Sequence, residues 1–160
     1  MLFKALAFTL LLSPSVGHAF DASAHIDLGQ CWGGGDISDE LWCMEEQLWQ
    51  CEGVVGELGL GTANGLYSCS HEVFSQVDQR LNELYPSLVT QVRFLDNGMP
   101  PENNEELLRE AQRNWVSYRD TMCELKPTLG RTNSGYDAVV AECAAELTVM
   151  QIHTLLRYVP

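Results

Sequence analysis

Basic side chains are scarce in this sequence, with nine lysines and arginines against 22 aspartates and glutamates and a formal net charge of −13. An acid excess of that size opposes binding to phosphate backbones or anionic lipid, so nucleic acid is excluded as a partner class. The same excess speeds encounter with a cationic protein. The short signatures of catalysis are also missing: there is no GxSxG elbow, no HExxH and no P-loop. The stretch GLGTANG, residues 59–65, has the glycines of a phosphate loop, but it follows a helical pattern instead of a strand and offers no lysine to a phosphate. The adjacent acids Glu45-Glu46 and Glu105-Glu106 are the right residue type for acid–base work, yet on a polar helix face such pairs are solvated. No C-x-x-C is present, and His25, His71 and His153 are too scattered to complete a zinc site with Cys43 and Cys51. These absences point to a binding protein with no metal and no cofactor, and away from an enzyme.

Long apolar runs are missing too. Lys4, the apolar residues 5–12 and the small-residue boundary Gly17-His18-Ala19 have the layout of a cleavable signal peptide, residues 1–19, with cleavage after Ala19. The run ends at Ser13-Pro14, far short of the roughly 20 residues that span a bilayer. No later stretch is expected to span, and no cysteine follows closely enough to take a lipid, so no stable membrane insertion is expected. The expected location is periplasmic or secreted. Loss of the single leader charge, Lys4, takes the mature chain from −13 to −14. The remainder has the size of one domain.

What is present is helical periodicity. Ile37, Leu41, Met44 and Leu48 predict a first helix over residues 37–50, capped by Asp36 or Ser38. Five glycines in GVVGELGLGTANG, residues 53–65, are expected to stop it. A second helix starts near residues 62–64 with the stripe Leu66, Val73, Val77, Leu81, Leu84, Leu88, Val92 and Leu95, and Pro86 should kink or split it. Asn97-Gly98-Met99-Pro100-Pro101 is a break, after which Asn103 or Asn104 can cap a third helix. That helix is expected to bury Leu107 or Leu108, Ala111, Trp115, Tyr118 and Met122. A loop over residues 127–135 leads to a fourth helix, with an approximate capping box Ser134-x-x-Asp137 and a stripe of Tyr136, Val140, Cys143, Leu147, Met150 and Thr154. The fold class is all-α, a disulfide-stapled antiparallel bundle of about four helices.

Six cysteines in an exported chain read as disulfides. In an antiparallel hairpin, residues equally far from the turn face each other. Cys51 and Cys69 are centred on residue 60 and Cys123 and Cys143 on residue 133, each inside an expected turn. Cys43 and Cys51 on one helix would lie about 12 Å apart along its axis and could not bond. Cys31 with Cys43 is left by exclusion.

The third helix reads LLREAQRNWVSYRDTMC, residues 107–123. Its Ala111, Gln112, Arg113, Trp115, Tyr118, Arg119, Asp120 and Cys123 resemble the aQraWlxyRdxxC helix of the LprI-like lysozyme inhibitors, a secreted bacterial family. Cys69 with Asp78, Leu81, Asn82 and Tyr85, and Cys143 with Leu147, Thr148 and Leu155, resemble the helices on either side. The resemblance covers roughly residues 51–156. On this pattern residues 20–50 form an N-terminal extension carrying the first helix, and residues 51–160 the LprI-like domain. Pro86, the Thr132-Asn133-Ser134 turn, and Gln151 in place of an arginine depart from the family pattern. The resemblance implies an inhibitor of lysozyme. Gln112, Arg113, Trp115, Tyr118, Arg119 and Asp120 are read as architecture: a buried aromatic pair, and an arginine bonding helix ends or a carboxylate.

Trp42 and Trp49 stand apart. They are displaced by roughly 100 to 140° from the apolar stripe of the first helix, so they either form a partner-binding face or are covered by Ile26, Leu28 or another helix. The leading reading is a periplasmic or secreted inhibitor-like protein whose partner is another protein, with a cationic lysozyme as candidate. The alternatives are an immunity or accessory protein that binds a toxin or envelope enzyme, and an uncharacterised enzyme.

Overall fold

Asp36 accepts hydrogen bonds from Ser38 N at 2.7 Å and Asp39 N at 3.2 Å, while Asp39 accepts from Asp36 N. This reciprocal capping box starts α1, Ile37–Glu57, and decides the cap in favour of Asp36. In the computed structural model, which describes residues 20–33, 35–60, 62–96, 103–125 and 133–159, the other long elements are α2 (Thr62–Asp96), α3 (Asn104–Leu125) and α4 (Asn133–Tyr158). Two 3₁₀ turns, Ala22–Ala24 and Leu28–Cys31, precede them. The leader, the 97–101 break and the loop before residue 133 lie outside the described residues, as does the Ser134 side chain of the expected capping box.

The glycine-rich stretch corrects the sequence reading. α1 continues through Gly53 and Gly56 and stops only at Gly59, whose φ of +62° closes the helix. Leu60 N bonds the carbonyl of Val55 and Gly59 N that of Gly56, the paired bonds of a Schellman stop. Gly65 is already inside α2, and a Cβ there would collide with the Val55 side chain. Glycine at this position lets the two helices approach closely just past their turn.

Pro86 does not split α2, which is one helix of 35 residues. Its start and most of its stripe fall as expected, with Val73, Val77, Leu81 and Leu88 buried, but Leu95 is exposed. The α3 cap differs from expectation. Asp96, at the end of α2, accepts from Asn104 N and Glu105 N, both at 3.0 Å, while the Asn103 side chain donates to Glu106. An anion against free N–H groups at a helix start is favourable. Beside it Glu105 binds Arg93 and Arg109, whose hydrogen bonds hold its carboxyl down to about 2.

Both later helices bury faces that overlap the expected ones in part: Leu108 and Trp115 of α3 and Val140, Cys143 and Leu147 of α4 do pack inward. α3 turns Leu108, Gln112, Trp115, Arg119 and Cys123 toward the bundle and leaves Leu107, Ala111, Tyr118 and Met122 exposed. α4 buries Ala138, Ala141, Ala145, Val149, Ile152 and Leu155, whereas Met150 and Thr154 of the expected stripe face solvent. Large apolar residues such as Tyr118, Met122 and Met150 suggest faces displaced from the buried ones. A disulfide on α3 and small alanines on α4, which permit close helix approach, set the rotation instead. α4 touches α1, α2 and α3, most extensively α2. Its residues Gly135–Tyr158 are long and apolar enough to cross a membrane, contrary to the expectation that no such stretch follows the leader. Its packing against the other three long helices accounts for the buried part of that composition.

All three disulfides are present: Cys31–Cys43, Cys51–Cys69 and Cys123–Cys143. Each ties a short loop, contributing about 3 kcal/mol in the chain-entropy model. The segment before α1 is built into the same core as α2 and α4, with Ala22, Ile26 and Leu28 buried. Gln76 fixes its backbone, accepting from Leu28 N at 2.9 Å and donating to the Ile26 carbonyl at 3.0 Å.

Candidate protein-binding interface

The positions of α1 divide by helical spacing. Glu40, Met44, Cys51 and Val55 point inward, and Trp42, Glu45, Glu46 and Trp49, at i, i+3, i+4 and i+7, share the opposite side. Trp42 is 71% and Trp49 75% exposed, so among the described residues neither Ile26, Leu28 nor another helix covers them. Between the rings lies an open notch of about 410 Å³ lined by those four residues. Glu46 accepts a bond from Gln50 at 3.3 Å, and the Glu45 carboxylate has no partner among the described residues.

Beneath this face, α1 is pinned by a charge cluster that periodicity alone did not reveal. Glu40, 3% exposed, receives Arg80 through two bonds of 2.7 and 3.2 Å and meets His153 Nε2 at 2.9 Å. Trp32 covers the same guanidinium, 4.2 Å from carbon to ring centroid. Burial pushes the Glu40 carboxyl up, but the hydrogen bonds and positive charge of Arg80 and His153 outweigh it and hold the group below its ordinary value. The available sequence signal was Glu40 itself, an acid three residues after Ile37 on the inward stripe.

The motif residues of α3 form a second cluster. Arg119 is buried, with Nη1 2.9 Å from Asp78 and 3.3 Å from the Thr148 hydroxyl, and Nε 2.9 Å from Asp120. Its guanidinium lies 5.1 Å from the ring centroids of both Phe74 and Trp115. Asn82 donates to the other oxygen of Asp78 at 2.8 Å. Carboxylates, not helix ends, therefore hold this arginine, and α2, α3 and α4 meet at it. The expected buried aromatic pair is corrected: Trp115 is half-buried against the core, but Tyr118 is 52% exposed, because the turn that brings Arg119 inward carries Tyr118 outward. Arg113 is exposed beside Tyr85, and Gln112 accepts from Gln151 at 3.0 Å, so the residue that replaces the family arginine bridges α4 to α3.

The molecule is thus a disulfide-stapled four-helix bundle with an arginine-centred network between α2, α3 and α4. The chain belongs to the LprI lysozyme inhibitor family, whose model, described as "Lysozyme inhibitor LprI", matches residues 59–155. It is also 32% identical over 85 residues to an uncharacterized protein of Rhizobium meliloti (strain 1021), a stretch that is 50% of this chain and 61% of the relative. The chain therefore spans about three-fifths of that relative's length. No solved structure matches the chain. The matched residues take in α2, α3 and most of α4, while Trp42 and Trp49 on α1 lie outside them.

Proposed function

We propose that this protein is exported, loses residues 1–19, and works in the periplasm or outside the cell as an inhibitor of a cationic lysozyme. Inhibition is by protein–protein contact that occludes the enzyme's cleft, without chemistry of its own and without membrane insertion. Membership of the lysozyme inhibitor family carries this reading. Three disulfides suit an oxidising compartment, and the −14 charge left after loss of Lys4 suits a basic target. In this reading residues 51–160 are the inhibitor framework, Gln112, Arg113, Trp115, Tyr118, Arg119 and Asp120 shape it, and Trp42 and Trp49 are candidate anchors on the 20–50 extension.

The test is binding kinetics of the mature protein against chicken-type and goose-type lysozymes at two salt concentrations, beside a cell-wall lysis assay. Attraction between opposite charges should raise the association rate and fade as the screening length falls from about 10 Å at 0.1 M to about 3 Å at 1 M salt. The dissociation rate should change much less. Absence of binding at tens of micromolar in low salt would discard lysozyme as the target and favour a toxin or envelope-enzyme partner. The tryptophan face lies outside the family-matched residues and suits either partner, so this binding test is what separates the two.

A further inference from the structure

The interior of this protein already contains one way of holding an arginine. Arg80 lies with its guanidinium over the Trp32 ring and makes two bonds to Glu40. Arg119 repeats the arrangement with Trp115, Phe74, Asp78 and Asp120. On the outer face of α1 the same partners recur without an arginine: two tryptophans flank two carboxylates around an open notch of about 410 Å³.

The charge distribution says what fits there. Residues 20–79 contain no lysine or arginine, and Arg80 is the first after Lys4. No cation of α1 competes for Glu45 and Glu46, and among the described residues that line the notch none is basic. An indole face attracts a cation more strongly than other aromatic rings do. Arginine suits the site better than lysine, because its planar head both stacks on an aromatic and bonds a carboxylate through two donors. Two helical turns separate the tryptophans, about 10.5 Å along the axis, enough to lay an extended side chain between the rings with its stem on apolar surface and its head at the acids.

We propose that the Trp42–Glu45–Glu46–Trp49 face of α1 is a clamp for an arginine presented by a basic segment of a partner protein. This deepens the inhibitor reading by giving the partner's contacting group, and it rests on that reading only for the partner's identity. The face lies beyond the family-matched residues, so the clamp is a feature added by the extension.

The probe is a hexa-arginine peptide, with hexa-lysine as control, titrated into the oxidised mature protein while the four indole N–H resonances are followed by NMR. Hexa-arginine should move the signals of Trp42 and Trp49 and leave those of Trp32 and Trp115 in place. Trp42→Ala and Trp49→Ala should each weaken binding about threefold to tenfold. Glu45→Gln with Glu46→Gln should weaken it and flatten its salt dependence, and hexa-lysine should bind less tightly than hexa-arginine. Both tryptophans are exposed, so these variants keep the fold, which the unchanged Trp115 signal reports. Equal binding by the tryptophan variants, or parity between the two peptides, would overturn the clamp, as would concentration-dependent dimerisation through this face. The lysis assay reads separately. Lysozyme inhibited equally well by the tryptophan variants would also overturn the clamp as the inhibitory contact while leaving the inhibitor reading intact. Arginine binding at the face with no inhibition of any lysozyme would support the clamp and reject the inhibitor reading.

Discussion

The bundle of α2, α3 and α4 and the extension ending in α1 use the same residue types in opposite ways. In the bundle, Trp115 and Phe74 are turned toward Arg119, whose donors go to Asp78, Asp120 and Thr148. Aromatic surface and charge are consumed by holding three helices together. The extension satisfies one such cluster, Trp32 with Arg80 and Glu40, and then leaves Trp42, Trp49, Glu45 and Glu46 in solvent. A buried arginine cluster costs desolvation that only good geometry offsets, and its best-attested use is in fixing one arrangement over others. An exposed pair of tryptophans gives the fold almost nothing, and under the proposed clamp its use lies in recognition.

The contrast should appear first in stability. Replacing Arg119 with leucine removes the group on which α2, α3 and α4 converge and leaves Asp78 and the Thr148 hydroxyl without it. Breaking a buried pair costs roughly 3 to 5 kcal/mol, and because Asp78 and Asp120 reach solvent the loss should sit near the lower end, about 3 kcal/mol. Trp115→Ala should follow at about 2 to 3 kcal/mol, below the range for a fully buried tryptophan, since this ring is only half-buried. Urea midpoints of the two variants measure both. A loss under about 1 kcal/mol for Arg119→Leu would mean that the network is not what orders the bundle.

Glu40 is the corresponding test for the extension. Glu40→Ala frees the Arg80 guanidinium and His153 from their shared partner, and hydrogen bonds to charged groups are each worth about 1.5 to 3 kcal/mol. With Arg80 partly exposed, a loss of about 2 kcal/mol is expected at neutral pH. The carboxyl is held below its ordinary value in the folded protein, so the folded state takes up its proton at lower pH than the unfolded chain does. Its contribution is therefore complete above the ordinary carboxylate value of about 4.5 and is lost as pH falls through the lower folded-state value. Stability of the parent and of Glu40→Ala, measured between pH 3 and about 7, should converge on the acid side. A gap that stayed constant would show that Glu40 contributes by packing and not by charge.

How much of this was legible in the sequence depended on whether local pattern or tertiary contact decided the outcome. Hairpin symmetry placed Cys51 opposite Cys69 and Cys123 opposite Cys143 because equal distance from a turn is a property of the chain alone. The apolar stripe of α2 was equally readable up to Leu88 and Val92. The faces of α3 and α4 are readable only in part, through Leu108, Trp115, Val140, Cys143 and Leu147, since ranking Tyr118 and Met150 above Arg119 and Ala145 presumes that size and apolarity decide burial. Here a salt-bridged arginine and close-packed alanines decided it. The sequence offers Gly53 and Gly56 as stops, yet both lie inside α1, and Gly59 adopts the left-handed conformation that ends it. Nothing local could have paired Glu40 with His153, which are 113 residues apart. Counting alone puts Trp42 and Trp49 on a second face, but whether anything covers that face is a tertiary question.

The smallest expected effect is the one that most sharpens the contrast. Trp42→Ala removes the larger part of a side chain, and by mass alone it should resemble Trp115→Ala. Burial governs the loss instead: an indole that is 71% exposed has little apolar area to return to water on unfolding. The change should therefore fall within about ±0.5 kcal/mol, the range of surface substitutions away from structural features. Helix propensity points the same way, because alanine in the middle of α1 is at least as favourable as tryptophan. Thermal melts of Trp42→Ala and Trp49→Ala beside the parent, with the disulfides intact, measure this directly. A fall in melting temperature comparable to that of Trp115→Ala would mean that the rings are packed in solution, against the extension or a second copy, and the division between a structural and a binding use of tryptophan would fail. An unchanged or slightly raised melting temperature, together with weaker peptide binding by the same variants, would place the two rings outside the folding energetics and inside recognition.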